Sequence, residues 1–457
     1  MSKKIAILGA GISGLTTAYL LHREGYDVTV IEKKKNVGGS MESISKDGYM
    51  IDLGPNSGLE TSPLIARLVE DLNLKDEFIY AGKQGNKRYI LRDGVLHPLP
   101  MSPPAFLKTK LFSGGAKLRL LAEPFIGRSK DGYYQSISDF VRRRLGREFL
   151  DYAINPFVAG VYAGNPDNLS VKSAFPKLYA LEEKYGGLIV GTVKSIKERK
   201  QRAEKSKQSA KMFSFKSGMQ TLPKTIAEKL GDNVITSAEV KSIKKEEGDY
   251  KITFEKDGTL HELRCDVLLS TMPAYSASSL FKDIDGTLSE HLSQIYYPPV
   301  YVMFLGYNKK DIKQPLDGFG YLIPSKEKKS YLGAIWSSVI FENRAPEGVA
   351  SFTIFVGGAR NPEIENADKD ELFNRVISEF ESQMGISNKP VFSIYKFWPK
   401  AIPQYNIGYI EHENYFDEFE KNNPGIVLGG NYRGGISVGD CIKNSELVYN
   451  KIINLLT

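Results

Sequence analysis

Residues 4–14 read Lys4-Ile5-Ala6-Ile7-Leu8-Gly9-Ala10-Gly11-Ile12-Ser13-Gly14, and residues 28–32 read Val28-Thr29-Val30-Ile31-Glu32. The apolar run Ile5–Leu8 suits a parallel strand buried on both faces. It enters a Gly9-x-Gly11-x-x-Gly14 turn, after which Leu15, Ala18, Tyr19, Leu20 and Leu21 carry a helical pattern that Gly25 closes. Each glycine has its own task in such a unit. Gly9 makes the tight turn, Gly11 lets main-chain amides approach a pyrophosphate, and Gly14 lets helix and strand pack closely. Ile12 and Ser13 begin the helix, whose unpaired amides and dipole favour an anion. Glu32, with Lys33 beside it, stands where ribose hydroxyls would be held. The stretch predicts a Rossmann-like α/β nucleotide-binding domain.

Working outward, the 457 residues are enough for two or three domains with sizeable cores. A hydrophobic fraction of 41% and a charged fraction of 25% are ordinary for a globular protein. Cys265 and Cys441 are the only cysteines. They lack metal-ligand spacing and read as buried small hydrophobes, so no metal site is expected. Because Lys4–Leu8 is already a strand candidate, no secretory leader is expected. No run approaches the roughly 18 apolar residues a bilayer span needs.

The net charge of +7 is concentrated. Between Thr192 and Lys216 stand Lys194, Lys197, Arg199, Lys200, Arg202, Lys205, Lys207, Lys211 and Lys216 against Glu198 and Glu204, which accounts for all of it. The rest is near neutral, which argues against a general nucleic-acid-binding surface. From Ser102 to Glu123, Phe106, Leu107, Leu111, Phe112, Leu118, Leu120 and Leu121 alternate with Lys108, Lys110, Lys117 and Arg119. That pattern predicts short amphipathic helices, which fit either a bilayer interface with lysines on anionic headgroups or a substrate-access lid. Helices are expected at Ser136–Leu145, Glu148–Ile154, Leu178–Lys207, Leu222–Leu230, Lys369–Met384 and Val438–Leu456. Strands are expected at Val234–Thr236, Val240–Ile243, Tyr250–Phe254 and Val267–Ser270, with an antiparallel set at Tyr301–Leu305, Tyr321–Ile323, Leu332–Ser337 and Ser351–Val356.

Three further glycine-bearing pieces narrow the class. Glu32-Lys33-Lys34-Lys35-Asn36-Val37-Gly38-Gly39-Ser40-Met41 resembles the acid and Gly-Gly loop of amine-oxidase-like flavoproteins. Gly48-Tyr49-Met50-Ile51-Asp52-Leu53-Gly54-Pro55-Asn56 is similar to that family's next hairpin, which ends beneath the flavin. Gly429-Gly430-Asn431-Tyr432-Arg433-Gly434-Gly435-Ile436-Ser437-Val438 resembles its C-terminal signature. The resemblance implies FAD, held by Gly9, Gly11, Ile12, Ser13, Gly14, Glu32, Lys33, Gly38, Gly39, Ser40, Gly54, Pro55, Asn56, Val240, Gly430, Ile436 and Val438.

A narrower likeness runs through the chain. Asn86-Lys87-Arg88-Tyr89, Asn155–Pro166, Leu316-Asp317-Gly318-Phe319-Gly320, Asn343-Arg344-Ala345-Pro346 and Gly357-Gly358-Ala359-Arg360 are similar to stretches of the protoporphyrinogen oxidases. That likeness implies Arg88 as propionate anchor, Leu316 and Trp336 as clamps on a pyrrole ring, and the Ala159-Gly160 main chain facing the macrocycle. The competing readings are a surface arginine on a strand and ordinary core packing for Leu316 and Trp336. It also implies an apolar cavity, protoporphyrinogen IX as substrate in haem biosynthesis, and dioxygen as acceptor with hydrogen peroxide as product. The alternatives are coproporphyrinogen III, an amine or carotenoid, and a non-catalytic FAD-binding scaffold. His22, His97, His261, His291 and His412 are scattered, and no residue is assigned as general base.

The architecture expected is FAD-binding segments at residues 1–85, 212–295 and 401–457. A helical, membrane-facing or substrate-access insertion spans 86–211, and a mixed-sheet α+β substrate domain spans 296–400. The expected location is the cytoplasm, peripheral on the inner face of the cell membrane. Pathway logic places a ferrochelatase downstream, and the sequence leaves the oligomeric state open, a homodimer included.

Overall fold

The computed structural model of the chain describes residues 3–202, 210–246 and 248–456, residues 199–202 by their main chain alone. The strand–glycine–helix unit forms as Lys4–Leu8, the helix Ile12–Arg23 and the strand Asp27–Ile31. On it is built a parallel five-stranded sheet in the order Val234–Ile235, Asp27–Ile31, Lys4–Leu8, Val267–Ser270, Ile426–Leu428. These strands are short and apolar because helices cover both faces. Ile5 and Ile7 pack with the helices Ile12–Arg23 and Val438–Leu456, whereas Ala6 and Leu8 pack with Phe281, Leu288, Phe416 and Phe419 of the helices opposite.

Ala238–Lys245, Tyr250–Lys256 and Thr259–Cys265 form a separate antiparallel sheet. Its second hairpin turns at Asp257 and Gly258, both at positive φ (51° and 75°) as a two-residue hairpin loop requires. Thr259–Cys265 is a strand missed in the sequence because Leu260, His261 and Glu262 give it no apolar face.

A seven-stranded mixed sheet carries the second half of the site, in the order Phe392–Trp398, Val300–Asn308, Val349–Gly357, Gly333–Ile335, Gly320–Leu322, Arg88–Arg92, Val95–Pro98. Alternation sorts its two faces. Tyr89, Leu91, Tyr301, Met303, Leu305, Tyr321, Ala334 and Ile354 lie in one core with Phe373, Val376 and Phe380 of the long helix Lys369–Met384. Val302, Leu322 and Phe355 belong to packing clusters on the other face. Two strands of this sheet, Arg88–Arg92 and Val95–Pro98, lie within the segment 86–211 expected as a helical insertion. Arg88–Arg92 pairs in parallel with Gly320–Leu322, placing Arg88 opposite Gly320. A pairing between segments so far apart leaves no local trace in either.

Beyond this hairpin the chain is helical. Pro103–Lys108 and Gly114–Leu121 start at Ser102 and Ser113, whose hydroxyls accept the Ala105 and Ala116 amides at 3.4 and 3.2 Å. The one helix expected over 178–207 is two, Pro176–Tyr185 and Leu188–Arg202. Gly186, at φ 86°, ends the first, and the buried Glu123 carboxylate accepts the Leu188 and Ile189 amides at 2.7 and 3.0 Å to start the second. Lys205 and Lys207 of the basic run lie outside the described residues, as do the side chains of Arg199, Lys200 and Arg202. Glu123 also meets the fully buried Arg144 at 3.0 Å, and Arg144 and Arg143 meet Glu182 at 2.6 and 2.9 Å.

Candidate flavin and substrate site

The glycine turn is shaped as its three glycines require. Gly9 sits at φ 100°. A Cβ at Gly14 would collide with the Gly9 carbonyl and come within 2.6 Å of Thr271 Oγ1, so this position is reserved for close packing. A Cβ at Gly11 would point into open space, the side from which a pyrophosphate can reach the main chain. The helix begins at Gly11 with no side-chain cap, leaving its first amides for an anion. Ser13 is tied through its carbonyl to Ser445 Oγ of the C-terminal helix at 3.1 Å.

Glu32 is buried, its carboxylate accepting the Ala10 and Lys34 amides at 2.8 Å each. Those bonds orient the acid at the end of its strand, beside the turn. Gly38 donates to the Ala10 carbonyl at 2.8 Å, so the Gly38-Gly39 loop lies directly on the Gly9–Gly14 turn. Both loop glycines have positive φ, 115° and 62°. The Ser40 carbonyl occupies the position a Gly54 Cβ would need, which admits only glycine there. Pro55 and Asn56 follow at half-buried positions. Val240 lies at the bulge of its strand, and the neighbouring Glu239 pairs with the exposed Lys33 at 2.6 Å. Gly430, at φ 105°, packs on Thr271, whose hydroxyl donates to the Leu8 and Gly9 carbonyls. Ile436 and Val438 follow where the last helix starts. The structure thus brings Gly9–Gly14, Glu32, Gly38, Gly39 and Gly430 from distant parts of the chain together at the carboxyl ends of the parallel strands, in a cradle that fits a dinucleotide.

Sequence reading missed the side chains that hold this cradle in place. Tyr405 Oη accepts the Gly435 amide at 3.0 Å and donates to the Asn431 carbonyl at 2.7 Å, while Tyr409 Oη donates to the Tyr432 carbonyl at 2.6 Å. Trp398 Nε1 donates to the Leu53 carbonyl at 2.8 Å, fastening the seven-stranded sheet to the hairpin that ends at Gly54.

Arg88 extends from its strand with its guanidinium 5.1 Å from the centre of the Phe319 ring. Among the described residues no carboxylate lies within ion-pair distance of it. The side chain is reached by water, yet the protein mass around it removes enough hydration to lower its pKa from the ordinary arginine value. An unpaired, partly dehydrated fork of donors is prepared for a carboxylate. Gly160 packs against Leu322, since a Cβ there would come within 2.6 Å of Leu322 Cδ2. Ala159 is buried with Val300, Val302 and Leu332.

Trp336 and Leu316 do not join this group. Trp336 is fully buried, its ring 5.7 Å from Tyr89, in the core under the helix Lys369–Met384, and Leu316 packs on the same core. The clamp inferred from resemblance therefore does not form from these two side chains. Along a strand one position reverses the face, and Ile335 points instead to the side of Phe304 and Phe319.

Below Phe319 and Ile335 lies a buried pair. Asp52 Oδ1 accepts the Ser43 hydroxyl at 2.6 Å and the Met219 amide at 2.8 Å, while Oδ2 faces Arg344 Nη2 at 3.5 Å. Arg344 donates to Ser214 Oγ at 2.8 Å and to the Phe215 carbonyl at 3.0 Å. Burial pushes the Asp52 carboxyl up, with Arg344 and Ser43 opposing it in part.

Comparison with known proteins matches this geometry. The flavin containing amine oxidoreductase family model matches residues 12–447. "Protoporphyrinogen oxidase 2, chloroplastic/mitochondrial" of Arabidopsis thaliana is 34% identical over 99% of this chain and 94% of its own. The coproporphyrinogen III oxidase of Bacillus subtilis is 27% identical over 99% and 98%. A crystal structure from Exiguobacterium sp. 255-15 superposes with a TM-score of 0.80 at 23% identity, covering 99% of both chains, and so shares the fold.

Proposed function

The chain belongs to the flavin containing amine oxidoreductases, through the branch that holds the protoporphyrinogen oxidases, and from that premise we propose that it oxidises a porphyrinogen in haem biosynthesis with FAD as cofactor. Protoporphyrinogen IX is the substrate of this reading, and dioxygen the acceptor. The observation that carries it is Arg88, a cation without a carboxylate partner among the described residues, 5.1 Å from the centre of the Phe319 ring.

In this reading Gly11, Ser13, Glu32, Gly38, Gly39, Gly54 and Gly430 hold the FAD. Once bound, the flavin supplies a two-electron acceptor for hydride. The protein's own contribution is orientation. Arg88, held by its contact with the Phe319 ring, fixes a propionate, and Ile335 adds apolar surface on Phe319's side of the sheet. Coproporphyrinogen III is the second reading, supported by the Bacillus subtilis relative. Anaerobic mixing of the FAD-loaded protein with each porphyrinogen, followed by flavin absorbance, separates them. Faster bleaching by protoporphyrinogen IX supports the first, faster bleaching by coproporphyrinogen III the second. Bleaching by neither excludes both and leaves an FAD-binding scaffold.

The same reading includes a membrane surface. On the helices 103–108 and 114–121 and the turn between them, Phe106, Leu111, Phe112 and Ala116 turn inward onto Phe149 and Tyr152. Leu107, Leu118, Leu121 and Phe125 turn outward, 70%, 69%, 68% and 89% exposed, and Val193 joins them at 65%. Lysines on the same segment supply attraction for anionic headgroups. Among the described residues no helix is long and apolar enough to cross a membrane, so the contact is interfacial.

A further inference from the structure

Two of the five histidines, 121 residues apart in the chain, meet in the fold. His291 stands near the end of the helix Gly286–Ser293 and His412 near the start of the helix Tyr409–Asn422, with their Nδ1 atoms 2.9 Å apart. The ring centres are 5.2 Å apart and the planes meet at 82°, so both nitrogens lie on the line between the rings. Lone pairs aimed along one line do not converge on a metal ion. One ring instead donates its Nδ1–H to the other's lone pair. Such a bond counts protons. With both rings neutral, or with one charged, an N–H still faces a lone pair. With both charged, two N–H groups face each other and two cations stand where the bond was.

The charged groups around the pair are engaged elsewhere. Glu411, the nearest carboxylate to His412 along its helix, accepts the Tyr134 hydroxyl at 3.0 Å. Asp285 accepts the Leu288 amide at 2.7 Å and the Tyr415 hydroxyl at 2.9 Å, and Glu290 accepts Gln294 Nε2 at 3.3 Å. Arg433 lies over the Phe416 ring beside His412, with Asp417 and Glu420 as its partners. Tyr415, stacked on His291, and Tyr409, edge-on to His412, stay neutral because burial raises their hydroxyls. Among the described residues neither histidine forms an ion pair with a carboxylate. The helix that carries His412 also braces the last loop of the cradle. Tyr409 holds the Tyr432 carbonyl at 2.6 Å, and Glu420 accepts the Leu428 amide at 2.6 Å and meets Arg433 at 3.1 Å. These contacts fall on both sides of Gly430.

We propose that the His291–His412 pair is an acid-sensitive joint that sets how tightly the C-terminal loop of the cradle holds FAD. The inference rests on FAD as cofactor and not on which porphyrinogen is oxidised. While one ring is neutral, the helix Tyr409–Asn422 stays tied to the helix Gly286–Ser293 and keeps its grip on residues 428–435. When both rings are charged the tie is lost and the grip slackens. By linkage, the second proton weakens FAD binding by the same factor by which FAD binding weakens the uptake of that proton. Burial holds His412 below the ordinary histidine value, His291 adds to that, and Glu411 opposes it. A histidine kept neutral in this way contributes stability that is complete above the unfolded pKa of about 6.5 and is lost as pH falls below it. Glu413, on the same helix, has its carboxyl raised by burial and also gains a proton as pH falls, so a test must separate it from the pair.

The test dilutes the FAD-loaded full-length protein at about pH 7.5 and about pH 5.5, on either side of the ordinary histidine range, and reads free flavin by its fluorescence. Circular dichroism at both values checks that the chain stays folded. The expected result is a dissociation constant about tenfold higher at the lower pH, within the usual range of coupling between two sites. His412→Gln and His291→Gln place an amide that can bond the remaining ring whether or not it is charged. Each variant should change by less than about threefold over the same interval. A wild type with equal affinity at both values overturns the inference, and so does an equal fall in both variants, which would assign the effect to Glu413 or another group. If neither variant folds, nitrogen NMR of the two rings in the wild type decides. One neutral ring is expected while FAD is held and two charged rings once it has left at the lower pH. Two charged rings with FAD still held, or a neutral ring persisting after release, overturns it.

Discussion

Replacing Arg88 by alanine removes a guanidinium that has no carboxylate partner among the described residues. In the free protein that side chain makes no ion pair among the described residues, so the variant leaves no carboxylate stranded and stability should hold. What is lost is the bond to a substrate propionate. A hydrogen bond to a charged group contributes about 1.5–3 kcal/mol, and Arg88 is reached by water, which argues for the lower part of that range. The expected fall in kcat/KM is about ten- to fifty-fold, most of it in KM because the contact is equal in ground and transition states. Arg88→Lys keeps the charge and loses the planar fork, so it should fall between the two. The assay is porphyrin fluorescence under air over a range of porphyrinogen concentrations, with flavin content and melting temperature measured on each preparation. An Arg88→Ala protein that retains FAD and matches wild type within about twofold would refute the anchor.

Other outcomes follow from the same structure. Ile335→Ala should raise KM, whereas Trp336→Phe should leave KM unchanged and alter only thermal stability, since the indole lies in the core beyond the sheet and its Nε1 has no partner. Phe125→Ser with Leu121→Ser should weaken binding to vesicles of anionic lipid by about a hundredfold, at about 1.5 kcal/mol for each side chain that enters the interface. Sedimentation with vesicles measures it, and an unchanged partition would leave these residues with a lid role. Burial alone would raise the Glu182 carboxyl, but the hydrogen bonds from Arg144, the Ser129 amide and Arg143 outweigh it and hold it below the ordinary glutamate value. Its contribution to stability is therefore complete above the unfolded-state pKa and is lost as pH falls through the folded one. Glu182→Gln should flatten that acid limb of a pH–melting curve and lower stability at neutral pH by about 3–5 kcal/mol, because it leaves the buried Arg144 with less compensation.

The nucleotide half of the site is legible in the sequence because its signals are local. Strand, glycine turn, helix and Glu32 fall within one short stretch, and each residue's role follows from main-chain geometry. The same holds for the serine-capped helices after Ser102 and for the long helix Lys369–Met384. The substrate half is not local. Gly333–Ile335 has too few residues to establish an alternation, so which face Ile335 and Trp336 take is decided by its pairing with Gly320–Leu322 and Val349–Gly357. The hairpin bearing Arg88 gives no sign of the strand it will join. The Asp52–Arg344 pair is likewise invisible beforehand, since two charged residues read as surface until the fold removes their water.

The pairing of Arg88–Arg92 with Gly320–Leu322 and the place of Ile426–Leu428 at the edge of the parallel sheet also set an order of events during synthesis. An emerging chain can form its first strand–helix–strand unit and the hairpin Arg88–Pro98 early, but one edge of the anchor strand stays unpaired until about half of the protein has followed it. The cradle closes later still, when the last strand and the loop at Gly430 leave the ribosome. Contacts of such long range slow folding and expose unpaired strand edges meanwhile. FAD can therefore be captured tightly only after the Gly430 loop has emerged, and cells short of flavin should accumulate the protein in a protease-sensitive form.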